Sequence, residues 1–170
     1  MTMDVLLVDG YNIIGAWPDL QELKKVDLSA ARDRLIDRMA EYKAFTGTRV
    51  IIVFDAYYVP GAETKTSQSK VEVIYTREKE TADERIERLV SILKNIRTQI
   101  YVATSDYTEQ WTVFSQGALR KSARELYNEI RNIDKQIASK VRHHQQKRSR
   151  TTVTFSDEVT KLFEKWRRGQ

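Results

Sequence analysis

The sequence predicts an α/β protein: a three-layer α/β/α sandwich around a central, mainly parallel sheet, followed by a basic helical C-terminal extension. Three observations carry this expectation. Short, wholly apolar runs recur along the chain, each long enough for one buried strand. Segments of helical periodicity separate them, and alternation of strands with helices favours a parallel sheet covered on both faces. Several of the apolar runs end in an aspartate, so the carboxyl ends of the strands are also where the acids collect.

Val5-Leu6-Leu7-Val8, closed by Asp9-Gly10, reads as a central strand buried on both faces and ending in a turn. Leu28, Ala31, Leu35, Met39 and Tyr42 follow helical spacing, with Asp27 as N-cap and Gly47 just past the stop. Val50 to Phe54 repeats the first pattern and ends at Asp55. Residues 56–69 contain Pro60-Gly61 and many small polar residues and read as a surface loop, in which Tyr57 and Tyr58 could stack on nucleic-acid bases. The alternating stretch from Lys70 to Tyr75 predicts a strand nearer the sheet edge.

Thr81-Ala82-Asp83-Glu84 has the form of a capping box, and Ile86, Leu89, Val90 and Leu93 supply the buried stripe of the helix it opens. Ile100 to Ala103 gives another strand, ending in Thr104-Ser105-Asp106. Asp106 and Glu109 form a second box, predicting a helix that carries Trp111 and Phe114 into the core and breaks at Gly117. From Ser122 a long helix is expected, with Leu126, Ile130, Ile133, Ile137 and Val141 along one face. Lys147 to Thr152 reads as a linker, and Ser156 as the cap of a last helix whose Val159, Leu162, Phe163 and Trp166 pack back on the domain. The whole is read as one domain, 1–170, with 120–170 as its basic helical part.

Composition narrows the chemistry. With 170 residues and 41% apolar content the chain can bury a sizeable core. It has no cysteine, which excludes disulfides, thiolate metal sites and cysteine nucleophiles and suits a reducing cytosol. The N-terminus lacks secretory-signal character and no apolar run is long enough to span a bilayer, so a cytoplasmic protein without a membrane partner is expected. Net charge is +5, yet Arg120 to Arg150 holds ten Lys or Arg against three Asp or Glu, leaving −2 for the remainder. Such a local cationic stretch suits a polyanion, although a solvated helix face would look the same.

In open parallel sheets the functional crevice lies beyond the carboxyl ends of the strands, where Asp9, Asp55 and Asp106 fall. Carboxylates converging without sulfur or clustered histidine describe a site for a hard cation, Mg²⁺ or Mn²⁺. The charges repel one another unless a divalent ion neutralises them, and such an ion can activate water against a phosphodiester. Each residue also has a purely structural reading. Asp9 before Gly10 and Asn12 suit a turn, Asp106 an N-cap, Asp83 and Glu80 the positive end of a helix, and Asp55 a turn or a supporting hydrogen bond. His143 and His144 read as surface residues, and Trp17, Trp111 and Trp166 as core or docking anchors.

Val8-Asp9-Gly10-Tyr11-Asn12, the run from Glu80 to Glu87, Thr104-Ser105-Asp106 and the run from Gly117 to Leu126 together resemble the YacP-like branch of the NYN-domain family, among the PIN-like nucleases. The match extends from Asp4 to about Ile130, and within the family it points to the ribosome-associated messenger-RNA endonucleases of Bacillus-type Firmicutes. The resemblance implies a PIN-like fold and a divalent-metal-dependent endoribonuclease that cuts mRNA in the A site of the 70S ribosome, with no organic cofactor. By position it makes Asp9, Asp83 and Asp106 the catalytic and metal-binding acids, Asn12 a residue that supports the site, and Glu80 a further metal ligand. Arg120, Lys121 and Arg124 match the basic segment expected beside the RNA or the ribosome. A haloacid-dehalogenase-type phosphatase also begins with a strand ending in Asp but needs a second acid two residues later, where this chain has Tyr11. The other alternative is a non-catalytic RNA- or ribosome-binding factor on the same fold, for which an acidic pocket facing a polyanion would be a handicap.

Overall fold

The computed structural model describes residues 2–56, 65–68 and 71–169, and the side chains within them except those of 65–68, 149–160 and 163. The apolar runs form the expected strands, β1 (Met3–Asp9), β2 (Arg49–Phe54), β4 (Val71–Tyr75) and β5 (Thr98–Ala103). Two more strands join them, β3 (Lys65–Gln68) and β6 (Leu119–Lys121), in the order β3-β4-β2-β1-β5-β6. Five strands are parallel, and β3 alone runs antiparallel, with Lys65 opposite Ile74.

Among the described residues six helices complete the element order: α1 (Gly10–Ala16), α2 (Pro18–Val26), α3 (Leu28–Thr46), α4 (Ala82–Leu93), α5 (Tyr107–Ser115) and α6 (Ala123–Arg167). Side chains alternate across a strand, so β1 feeds two cores at once. Val5 and Leu7 join Ile51, Val53, Ile100 and Val102 under Ile86, Val90 and Val113 of α4 and α5. Leu6 and Val8 face the opposite layer, where α1 and α3 lie against β1, β2 and β4 and bury Ile13, Leu35 and Met39. This is the three-layer α/β/α arrangement the sequence predicts. From β1 the chain adds β2 and β4 on one side, then returns to add β5 and β6 on the other. The order of strands therefore reverses between β1 and β5, the place where open α/β sheets form a crevice.

The local signals hold at several ends. Asp27 caps α3 by accepting from the backbone N–H groups of Ser29 and Ala30, and Gly47 ends that helix in the left-handed region at φ 74°. Thr81 caps α4 by accepting from the Glu84 N–H. Pro18 opens α2, where its fixed φ and missing N–H cost nothing.

Elsewhere the structure corrects the sequence reading. The tract read as a loop over 56–69 contains β3, a short polar edge strand with no hydrophobic pattern to announce it. Tyr57 and Tyr58 lie outside the described residues. Trp111 and Phe114 do not enter the core; they are 66% and 56% exposed, and α5 buries Glu109, Gln110 and Val113 instead. After Gly117, at φ 96°, the chain makes β6 before the last helix begins.

No linker separates two C-terminal helices: α6 runs unbroken through 147–152, a stretch with no glycine or proline and several good helix formers, and Ser156 lies inside it. Ile137, Val141, Leu162 and Trp166 are exposed. The chain divides into two compact units, Met1–Ile130, which holds the whole sheet, and Arg131–Gln170. The second is helical and its described side chains from Asp134 to Arg148 are all exposed. Among the described residues no helix is long and apolar enough to cross a membrane.

Candidate active site

The site is built around the break between β1 and β5. Asp9 ends β1 and precedes α1, and its carboxylate makes no cap to that helix. It is 8% exposed and accepts from the Thr104 hydroxyl across the break at 3.3 Å. Glycine is required next to it: a Cβ on Gly10 would stand 2.4 Å from the Phe54 ring.

Thr104 is fully buried, and the same hydroxyl oxygen accepts from the Asp106 N–H at 3.1 Å. The Asn12 side-chain oxygen accepts from both the N–H and the hydroxyl of Ser105, at 2.7 and 2.8 Å. The turn after β1 is thereby stitched to the turn after β5. Asp106 caps α5, as the sequence allowed, by accepting from the Thr108 and Glu109 N–H groups, and its charge acts on Asp9 and Asp83. Asp83 comes from the first turn of α4, half-buried.

Electrostatics shows how closely these groups share one field. Burial, with the charges of Asp83 and Asp106 behind it, pushes the Asp9 carboxyl up to about 7 despite the hydrogen bond from Thr104 and the opposing influence of the Asn12 backbone. Asp83 is raised by partial burial and then by Asp106, Glu87 and Asp55. Asp55, which ends β2, thus contributes to the field at the site.

Two acids belong here that sequence reasoning did not single out. Glu109, on the first turn of α5, is 3% exposed, one of its carboxylate oxygens has no hydrogen-bond partner, and burial together with Asp83, Glu87, Asp9 and Asp106 pushes it up to about 8. Glu87 acts on both Asp83 and Glu109 from one turn further along α4. The signal for Glu87 was its spacing of four from Asp83. Glu109 was hidden because the Asp-x-x-Glu spacing reads as a capping box.

Glu80 is not part of this cluster. Its buried carboxylate is clamped between Arg85 and Arg88, both at 2.6 Å, an ion-paired anchor at the start of α4. Lys121 is likewise engaged. It pairs with Glu129 at 2.8 Å and lies over the rings of Tyr42 and Tyr101. Burial opposes its charge, but Glu129 and Tyr42 outweigh that and hold it above the ordinary lysine value. Arg120 and Arg124 are exposed and line the same cleft of about 630 Å³ beside Ser105. His143 and His144 are exposed in the second unit, as expected.

Among the described residues no three carboxylates close on one point as a finished metal cage. The donor set nevertheless fits a hard cation. It offers oxygen only, it contains a buried carboxylate oxygen with no partner, and Asp9 and Glu109 are driven toward the protonated state by burial and by the neighbouring carboxylates. Magnesium suits such a set because it keeps several waters and takes only one or two carboxylates directly.

A parallel α/β sheet with carboxylates gathered beyond its switch point is consistent with a PIN-like α/β fold. More narrowly, the chain belongs to the YacP-like NYN domain family, whose sequence model matches residues 6–168. It is 59% identical over 167 residues to the protein YacP of Bacillus subtilis (strain 168), covering 98% of each chain. Its fold matches the crystal structure of Rae1 (YacP) from Bacillus subtilis with a TM-score of 0.77 and 59% identity, over 98% of this chain and 96% of that one. A variant of Rae1 with one tryptophan replaced by leucine matches at the same TM-score and 58% identity, over 85% of each chain.

Proposed function

We propose that the protein is a divalent-metal-dependent endoribonuclease that hydrolyses mRNA in the A site of the 70S ribosome, in the cytoplasm. The observation that carries this reading is the shared field of Asp9, Asp83, Asp106 and Glu109, in which one carboxyl is pushed up to about 7 and another to about 8. A pocket so acidic repels RNA unless positive charge enters it, so a binding factor without catalysis gains nothing from it. Asp9 and Asp83 are the residues that would hold Mg²⁺ or Mn²⁺, with Asp106 and Glu109 beside them. When bound, the ion supplies an activated water and neutralises charge on the phosphodiester.

The chain's own contribution is orientation and exclusion. Thr104 holds the Asp9 carboxylate by a hydrogen bond, and Asn12 ties the turn that carries Asp9 to Ser105. Asp106 holds its place through the cap of α5, while Glu109 keeps a carboxylate oxygen uncommitted in a site largely closed to solvent. In the metal-free protein Glu109 holds its proton up to about pH 8 and would release it on entry of the ion. The affiliation with PIN-like nucleases supports phosphodiester hydrolysis, and the resemblance to ribosome-associated endonucleases supports the mRNA substrate.

The test is a cleavage assay on translated and untranslated mRNA, with Mg²⁺ or with chelator, for the wild type and for Asp83→Asn. Cleavage of the translated message that needs the metal and falls at least about a hundredfold in the variant is expected. Full activity of Asp83→Asn, or cleavage undiminished by chelator, would refute the assignment.

A further inference from the structure

Helix α5 begins at the site and presents an unusual outer face. Tyr107, Trp111 and Phe114 are 72%, 66% and 56% exposed, and their spacing of four and then three residues puts all three rings on one side of the helix. Rise along the axis separates them by about 6 Å and about 4.5 Å. Exposed large aromatics in a row on a soluble domain mark a surface that meets something.

The surroundings say what. Tyr107 lines the cleft that Arg120 and Arg124 share with Ser105 and Asn128. A smaller hollow of about 130 Å³ is walled by Trp111, Phe114, Gln110 and Arg120. Arg120 therefore stands between the two, with a guanidinium nitrogen 3.4 Å from the Gln110 side-chain oxygen. The Gln110 amide in turn donates to the Thr104 carbonyl at 2.7 Å, and the Thr104 hydroxyl donates to Asp9. Arg120 is thus linked through Gln110 to the backbone of the same Thr104 whose side chain holds Asp9.

We infer that the outer face of α5 is a stacking platform for single-stranded RNA, with bases on Tyr107, Trp111 and Phe114 and phosphates on Arg120 and Arg124. The inference rests on the endoribonuclease reading for its substrate class and adds a path for the strand. Flat rings accept any base, exposed guanidiniums take the phosphates, and the helix that carries the rings starts at the Asp106 cap, beside the carboxylates. A protein partner would find the apolar rings equally attractive, but not the two exposed arginines that border them. Such a platform is tolerant of sequence, since every base has a face to stack.

The experiment measures binding of a 5′-fluorescein octauridylate by anisotropy in chelator, where cleavage is silent, across a salt series. Trp111→Ala and Phe114→Ala each weaken binding about five- to a hundredfold without changing the salt slope. Arg120→Gln and Arg124→Gln each lower the slope of log affinity against log salt by about 0.7. Trp111→Phe retains most of the affinity, and an abasic octamer binds the wild type as weakly as the octauridylate binds the aromatic variants. Because these side chains are exposed, thermal melting serves as the folding control.

Equal binding of abasic and base-bearing octamers would overturn the inference. So would unchanged RNA affinity in the aromatic variants, above all if a self-association seen in sedimentation disappears with them, which would make the face a protein contact. The nuclease reading is tested separately, because Asp83→Asn should bind the octamer like the wild type while failing to cleave.

Discussion

Replacing Glu109 with glutamine keeps the shape of the side chain and removes its charge from the most closed part of the acid cluster. In the folded protein this carboxyl is pushed from the ordinary 4.5 up to about 8. A raised acid pKa means that the native state holds its proton more tightly than the unfolded state does. Its contribution to stability is therefore lost progressively as pH climbs from 4.5 toward 8. Between pH 5.5 and 8.5 this linkage amounts to about 3 kcal/mol, and screening by neighbouring solvent reduces it to about 2. The assay is urea denaturation of metal-free protein at both pH values, for the wild type and for Glu109→Gln.

The wild type should lose more stability on going to pH 8.5 than the variant by about 2 kcal/mol. Saturating Mg²⁺ at a hundred times its dissociation constant should return about 2.7 kcal/mol to the wild type at pH 8.5. The variant, with less repulsion to relieve, should gain less. Parallel pH profiles for the two proteins would show that Glu109 carries no buried charge, and the cluster would lose its innermost member.

Two further outcomes follow from contacts around the site. Gly10→Ala should destabilise the fold by about 1–3 kcal/mol, since its Cβ meets the Phe54 ring, and Phe54→Leu in the same chain should restore part of the loss in thermal melts. Glu80→Gln should cost about 1–3 kcal/mol in urea melts by leaving Arg85 and Arg88 without their shared partner. Its Mg²⁺ affinity, measured by calorimetry, should equal that of the wild type; a tenfold weakening would return Glu80 to the metal site.

What could be read from the sequence was decided by how far each signal depended on tertiary context. Asp9 was legible because a four-residue apolar run followed by Asp-Gly can hardly be anything but a buried strand ending at a crevice. Glu109 was not, because the spacing that makes it a capping residue is the same whether its side chain points to solvent or into a pocket. Trp111 and Phe114 misled because aromatic residues on a short helix usually face inward, and only the packing of Val113 against the sheet fixes which side of α5 that is. Strands β3 and β6 are four and three residues long and lie at the two edges, where no apolar run is needed. Helices α1 and α2 were hidden by their shortness and by a proline, although Ile13, Ile14, Trp17 and Leu20 are all buried.

The hydroxyl of Thr104 reaches Asp9 across 95 positions of chain, through two strands that lie side by side. During synthesis, β1 leaves the ribosome long before β5 exists. Its aspartate then has none of the neighbours that raise its proton affinity. A nascent polypeptide is therefore chemically silent at this centre until most of the sheet has been made, so whatever activity the acids support is withheld from every unfinished copy.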